Sequence, residues 1–157
     1  MKYIKTDARG FMTYDAYFDY LETIRDKLGE NLYLFASDPE RHNLSSHRSL
    51  HDAWIKSLTV KSSYGSPGSE STDGDVDLVL LGPYHDRILT LNYSGVRACN
   101  IDFQFCQNGR KRDLLYHELR HENGIVEHEL VFDGDMSIEI FCTGLICTEQ
   151  LLNDTPA

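Results

Sequence analysis

The sequence predicts one α+β domain spanning residues 1–157, in which N-terminal helices pack on a mostly antiparallel, six-stranded sheet. Apolar residues in the first third recur at steps of three and four, which is the period of a helix. From Leu50 onward the period becomes two, and Asn123-Gly124 and Asp133-Gly134 are tight-turn dipeptides typical of hairpins. Residues 1–49 are therefore the predicted helical part and residues 50–148 the antiparallel part, with a strongly curved sheet or half-barrel as its alternative form.

The helical part opens at Thr13, which we expect to cap a helix that ends at Gly29. Asn31 to Ala36 is a short apolar segment whose type the pattern leaves open. Asp38-Pro39-Glu40 has the cap, proline and acid order that begins a second, short helix.

The β part contains predicted strands at 50–60, 76–81, 87–93 and 96–105, with Ser94-Gly95 as a tight turn between the last two. Residues 61–75 form a Ser/Gly-rich loop with no aliphatic side chain, and we expect it to be mobile. Strands at 114–122, 125–132 and 136–148 close the chain, so the pattern marks seven strand segments, one more than the six-stranded sheet of the predicted fold.

Composition narrows the classes of function. Fifteen Lys and Arg against 25 Asp and Glu give a net charge of −10, which argues against binding to nucleic acid or to an anionic membrane and favours a basic protein partner. The N-terminus has no apolar signal segment, so we expect a cytoplasmic protein. Cys99, Cys106, Cys142 and Cys147 form no C-x-x-C pair and are predicted to be reduced thiols. No cofactor is predicted.

One motif points to an enzyme. His117-Glu118-Leu119-Arg120-His121 matches H-E-x-x-H, in which two histidines bind zinc and the glutamate is the general base, with Glu127 as a third ligand. This chemistry requires a helix, where residues i and i+4 lie about 6 Å apart on one face. In a strand the same two residues are about 13 Å apart. Asn123-Gly124 favours the strand, because a type I′ turn there makes residues 114–132 a hairpin.

The hairpin prediction places His117, His121 and His128 on one otherwise aliphatic face, with Leu119 opposite His128 and Arg120 opposite Glu127. These histidines are either neutral core residues or the lining of a pocket or a partner-facing concavity. Acidic loops at 70–75 and at Asp133 and Asp135 are further candidates for contact with a basic partner.

Two short motifs carry a resemblance to known proteins. Residues 49–54, Ser-Leu-His-Asp-Ala-Trp, and the hairpin segments 113–118 and 127–130 resemble small bacterial "LHDA"-type domain families, some of which are classed as immunity proteins of polymorphic toxin systems. The resemblance covers about the C-terminal two-thirds of the chain and transfers no catalytic residue. It implies a non-enzymatic protein-binding domain that neutralises a toxin. A zinc hydrolase using His117, His121 and Glu127, and a small-ligand-binding domain, are the alternatives.

Overall fold

Residues 1–62, 73–102, 104 and 111–152 are described by a computed structural model of the protein. These residues form two α-helices, a short 3₁₀ turn and ten antiparallel strands. The α+β class and the antiparallel pairing are confirmed. The single six-stranded sheet is replaced by two four-stranded sheets and a small N-terminal hairpin. Cys106 and the tip of the predicted loop, residues 63–72, lie outside the described residues.

The N-terminal hairpin pairs β1 (Lys5–Thr6) with β2 (Met12–Thr13) and changes the start of the first helix. The hydroxyl of Thr13 donates to the carbonyl of Lys5, so Thr13 belongs to the hairpin and does not cap the helix as predicted. Helix α1 (Asp15–Leu28) follows Tyr14 and ends, as predicted, at Gly29, whose φ of 73° suits a residue without a Cβ.

The apolar segment from Asn31 to Ala36, whose type the sequence leaves open, lies in helix α2 (Glu30–Ser37). A 3₁₀ turn (Pro39–Arg41) follows it. The Asp38 carboxylate accepts a hydrogen bond from the Glu40 N–H, so the predicted cap, proline and acid order does begin a helical turn.

The first sheet has the order β10-β5-β4-β3 and contains β3 (Trp54–Ser62), β4 (Gly74–Leu81), β5 (Arg87–Val96) and β10 (Gly144–Leu151). Strand β3 begins at Trp54 and not at Leu50, because residues 51–52 form a turn in which Asp52 has a φ of 63°. Strands occupy both ends of the segment predicted as a loop at 61–75.

The second sheet has the order β6-β9-β8-β7 and contains β6 (Ala98–Asp102), β7 (Leu114–Glu122), β8 (Ile125–Phe132) and β9 (Met136–Cys142). The predicted hairpin is confirmed with its register, since Glu122 pairs with Ile125, Arg120 with Glu127 and Leu119 with His128. A bulge between Leu114 and Tyr116 shifts the start of the ladder.

The two sheets meet where strands pass from one into the other. Ser94-Gly95 does not form the predicted turn, because β5 continues through it and only Arg97 separates β5 from β6. In the same way, only Thr143 separates β9 from β10. The N–H of Arg97 donates to the Phe141 carbonyl at 2.8 Å, and the N–H of Thr143 donates to Ser94 at 3.1 Å. Gly95 has a φ of 59°, and a Cβ there would lie 2.1 Å from the Thr143 hydroxyl. Gly95 therefore allows the strand to bend at this point and does not reverse the direction of the chain.

The helices connect the two sheets. Helix α1 packs on β7 and α2 packs on β10, and their apolar faces join the inward-facing residues of both sheets in one core. No helix among the described residues is long and apolar enough to cross a membrane. The largest fully buried side chains include Tyr17, Leu21, Leu50, Leu78, Tyr93, Leu119, Leu130 and Phe132.

Candidate binding surface

Two of the three predicted histidines lie in the core. His117 on β7 and His128 on β8 face inward, with 1% and 0% of their surface exposed, because alternate residues of a strand point to one face. His121 has the same parity but lies nearer the end of β7. There its partly exposed side chain lines a surface depression with Lys2 and Tyr20.

The buried histidines belong to a chain of four polar rings. The Tyr93 hydroxyl lies 2.8 Å from His128 Nδ1, and His128 Nε2 lies 3.1 Å from His117 Nδ1. The His42 ring stacks on His117 with the centroids 4.4 Å apart and the planes 8° apart. Helix and strand residues thus meet in one polar array inside an apolar core.

Burial keeps this array neutral. Removal from water lowers the pKa of His42 to about 4 and that of His128 to about 3, and it also lowers the pKa of His117 well below its ordinary value. Backbone hydrogen bonds, of His42 with Ala36 and of His117 with Arg41, act in the opposite direction, but burial outweighs them. At neutral pH these rings carry no charge with which to attract an acidic or basic ligand, and they pack as core side chains.

The residues of the H-E-x-x-H motif do not converge on one point. Strand geometry separates His117 from His121, and Glu127 lies on the opposite face of the sheet in an ion pair with Arg120. Within the described ranges, no group of three or more His, Cys, Asp or Glu side chains is arranged to hold a metal ion.

Glu118, the general base of that hypothesis, is fully buried and holds the N-terminal segment. Its carboxylate accepts hydrogen bonds from the backbone N–H groups of Lys2, Tyr3 and Ile4 at 2.7–2.8 Å. Arg120 Nη1 donates to the same carboxylate at 2.8 Å. Every lone pair that could serve a substrate is therefore engaged within the chain.

The pairing of Glu118 with Glu129, two like charges directly opposite each other on β7 and β8, is compensated by cations. Arg120 Nη1 bridges the two carboxylates, lying 2.6 Å from Glu129, and the Met1 ammonium group lies 2.8 Å from Glu129. These contacts lower the pKa of the Glu129 carboxyl even though its burial acts in the opposite direction.

The two predicted turn aspartates differ in their surroundings. Asp133 is half-buried and lies 3.5 Å from Arg112 Nη1, whereas Asp135 is exposed with a φ of 59°. Of the other predicted acidic loop, residues 70–72 lie outside the described residues, and Asp73 pairs with Arg97 at 2.9 Å.

Two sets of carboxylates among the described residues differ in their surroundings. The first set is held by internal cations and comprises Asp38, Asp77, Asp86, Glu118, Glu127, Glu129 and Glu149. The second set lies on α1, on the side opposite its buried residues, and comprises Asp15, Asp19, Glu22 and Asp26. We call these four residues the α1 acidic row.

The α1 acidic row is exposed and has little internal compensation, although the Glu22 carboxylate accepts a hydrogen bond from the Tyr33 hydroxyl. Its members are spaced by four, three and four residues, which places them along one line of the helix. Arg25 lies 3.9 Å from Glu22, but no cation of the described residues pairs with Asp15, Asp19 or Asp26. Helix α1 therefore presents a line of mostly unpaired negative charge on a rigid element.

Sequence reasoning missed two members of the buried array, His42 and Tyr93. His42 follows the 3₁₀ turn in a segment with no periodicity, so nothing local marks it as buried. Tyr93 does occupy an inward position of the predicted strand 87–93, and its parity with Leu89 and Leu91 is a signal that could have identified it.

Comparisons with protein-family models and with curated proteins find no match for this chain.

Proposed function

We propose that this protein is a non-enzymatic, immunity-type binding domain that neutralises a basic toxin by docking on the α1 acidic row. The row itself carries the proposal, because it places four exposed carboxylates in one line on a helix, whereas other exposed carboxylates of the described residues, such as Glu40, Asp102 and Asp135, lie on separate elements. The resemblance of the "LHDA" segment and of the hairpin segments 113–118 and 127–130 supports the same class of function. A cytoplasmic protein that shields its own cell would need no cofactor for this task.

The spacing of the row lets its charges act together on a partner. Side chains three or four residues apart on a helix lie about 5–6 Å from each other, which is within the Debye length of about 8 Å at physiological salt. Like charges at these positions destabilise a free helix slightly, and a basic partner removes that repulsion. Such a surface steers a basic protein toward the helix and raises the association rate more than it slows dissociation.

The experiment has two steps. The protein is first used to capture partners from its native host and is co-expressed with any toxin encoded beside its gene. A captured partner must form a stoichiometric complex, must lose its toxic activity in that complex, and must be basic. An acidic partner, or none at all, would rule out the proposal.

The second step measures association rates by surface plasmon resonance at 50 and 150 mM salt. Neutralising the row with Asp15→Asn, Asp19→Asn, Glu22→Gln and Asp26→Asn should slow association at least tenfold and weaken its salt dependence. A matched control changes net charge equally at scattered exposed sites, with Glu40→Gln, Asp52→Asn, Asp102→Asn and Asp135→Asn. Equal effects of the two variants would mean that overall charge, and not the α1 acidic row, controls docking.

A further inference from the structure

Two exposed apolar side chains from different elements line one groove. Leu34 on α2 and Ile146 on β10 are each 58% exposed. The groove between these elements has a volume of about 330 Å³ and is also lined by Asn31, Phe35, Asp38 and Arg48. Single exposed leucines are common on protein surfaces, but two such residues lining one concavity form a patch of the kind that binds a partner.

Leu34 also borders a second groove, which connects this patch to the α1 acidic row. The second groove lies where α1 turns into α2, has a volume of about 330 Å³, and is lined in part by Asp26 and Glu30. Asp26 is the last member of the row. The apolar patch and the row are therefore neighbouring parts of one continuous surface.

The charges at the edge of the patch favour a basic partner. Arg25 lies over the Tyr33 ring, 4.6 Å from its centroid, and Arg48 pairs with Asp38 at 3.0 Å and with Glu149 at 3.0 Å. Arg41, which also lines the first groove, is buried and pairs with Glu149 at 2.6 Å, so all three cations are engaged within the chain. Asp26 and Glu30 are exposed, and no cation of the described residues pairs with either.

We infer that Leu34 and Ile146 form the apolar anchor point for a partner segment that carries lysine or arginine beside a large apolar or aromatic side chain. This inference rests on the proposed function and adds the place where affinity arises. Interface energy concentrates in a few apolar residues near the centre of a contact, and a polar rim excludes water around them. The α1 acidic row then governs how fast the partner arrives, while the anchor governs how long it stays.

A peptide probe tests the anchor without a natural partner. A phage-displayed library of random twelve-residue peptides is selected on the purified full-length protein. Enriched peptides should combine lysine or arginine with leucine, phenylalanine or tryptophan. Binding of the synthetic peptides should fall tenfold to a hundredfold in the double variant Leu34→Gln, Ile146→Thr.

Matched controls come from exposed apolar residues that line neither groove. Leu44→Gln repeats the first substitution and Val60→Thr places a threonine at another β-branched strand residue, at positions that are 62% and 60% exposed. The control variant should bind the peptides within twofold of the wild type. Thermal unfolding of both variants must match that of the wild type, so that lost binding cannot be a loss of folding.

The outcomes separate this inference from the proposed function. Failure to enrich peptides, acidic enriched peptides, or unchanged binding to the Leu34→Gln, Ile146→Thr variant would each overturn the anchor. If a toxin is neutralised equally well by that variant, the anchor is wrong and the proposed function stands. If peptides that combine basic and apolar residues bind at the anchor but no toxin is neutralised, the anchor inference holds and the proposed function is wrong.

Discussion

The substitution Glu118→Gln isolates the contribution of the carboxylate that holds the N-terminal segment to the second sheet. The Glu118 Oε2 atom accepts the N–H groups of Tyr3 and Ile4, and Oε1 accepts the N–H of Lys2 and one Arg120 nitrogen. Glutamine has the same shape and keeps one oxygen, which can still serve Tyr3 and Ile4. Its amide nitrogen then faces two further donors.

The magnitude follows from those contacts. A hydrogen bond to a charged group contributes about 1.5–3 kcal/mol, and the glutamine loses two such bonds while placing donor against donor in a buried site. We therefore expect the free energy of unfolding to fall by about 3–5 kcal/mol, which is the range observed when one partner of a buried pair is removed. That loss is a large fraction of the total stability of a typical domain.

Urea denaturation measures this loss, and amide hydrogen exchange shows where it acts. The amides of Lys2, Tyr3 and Ile4 should lose protection before the rest of the sheet. Glu139→Gln is the matched control, because Glu139 lies on the same outer face as Glu118 and, among the described residues, accepts a single hydrogen bond, from Asn100 at 3.3 Å. We expect the control to change stability by less than about 0.5 kcal/mol. A Glu118→Gln loss below about 1 kcal/mol, with the three amides still protected, would refute the reasoning.

Three further predictions test the core. The buried histidines bind protons less tightly in the folded chain than in the unfolded chain, where their pKa is near 6.5. The free energy of unfolding should therefore fall as the pH drops from about 6.5 toward 4. The fall should reach up to about 1.4 kcal/mol per pH unit for each histidine. Urea titrations at pH 7, 6 and 5 measure this loss above the range where carboxylates titrate, and a flat profile would contradict it. Tyr17→Phe should lower the free energy of unfolding by about 1–3 kcal/mol, because it leaves the buried Leu119 N–H without an acceptor. Tyr20→Phe should lower it by less, since water can reach the partly exposed His121 N–H. Gly95→Ala should lower the free energy of unfolding by at least about 1–2 kcal/mol, because residue 95 has a positive φ and the added Cβ would contact Thr143. An unchanged melting temperature would contradict the bent-strand interpretation.

The segment that sequence reasoning predicted best is the 114–132 hairpin, and the reason is local. Asn123-Gly124 fixes a two-residue turn, and both residues have the positive φ that a type I′ turn requires. Once the turn is fixed, every pairing across the hairpin follows from counting outward, until the bulge near Leu114. A local signal thus determined the register as well as the type of structure.

Ser94-Gly95 shows the limit of the same reasoning. The dipeptide has the composition of a turn, but what happens there depends on Thr143, which lies 48 positions along the chain and crosses at that point. A glycine that permits a reversal also permits a strand to bend closely past another. Only the long-range pairing of β5 with β10 and β6 with β9 distinguishes the two cases.

The candidate surface was harder to predict than the fold, because local sequence does not reveal which carboxylates are already paired. The net charge of −10 indicated a partner-facing acidic surface, and the predicted location was the turn loops. In the folded chain, Asp73 and Asp133 lie beside arginines, while α1 carries a line of four exposed carboxylates, of which only Glu22 lies near a cation among the described residues. The ion pairs that decide this join residues such as Arg41 and Glu149, which are far apart in sequence.

Internal pairing also concentrates the net charge on the surface. Each buried or half-buried carboxylate needs cations beside it, and several of the chain's arginines are engaged in this way, including Arg41, Arg87 and Arg120. Fewer cations are then left to compensate the exposed acidic groups. The α1 acidic row can therefore attract a basic partner strongly even though each of its carboxylates is solvated and individually weak. For that reason we expect single neutralisations in the row to have small effects and the fourfold variant to have a large one.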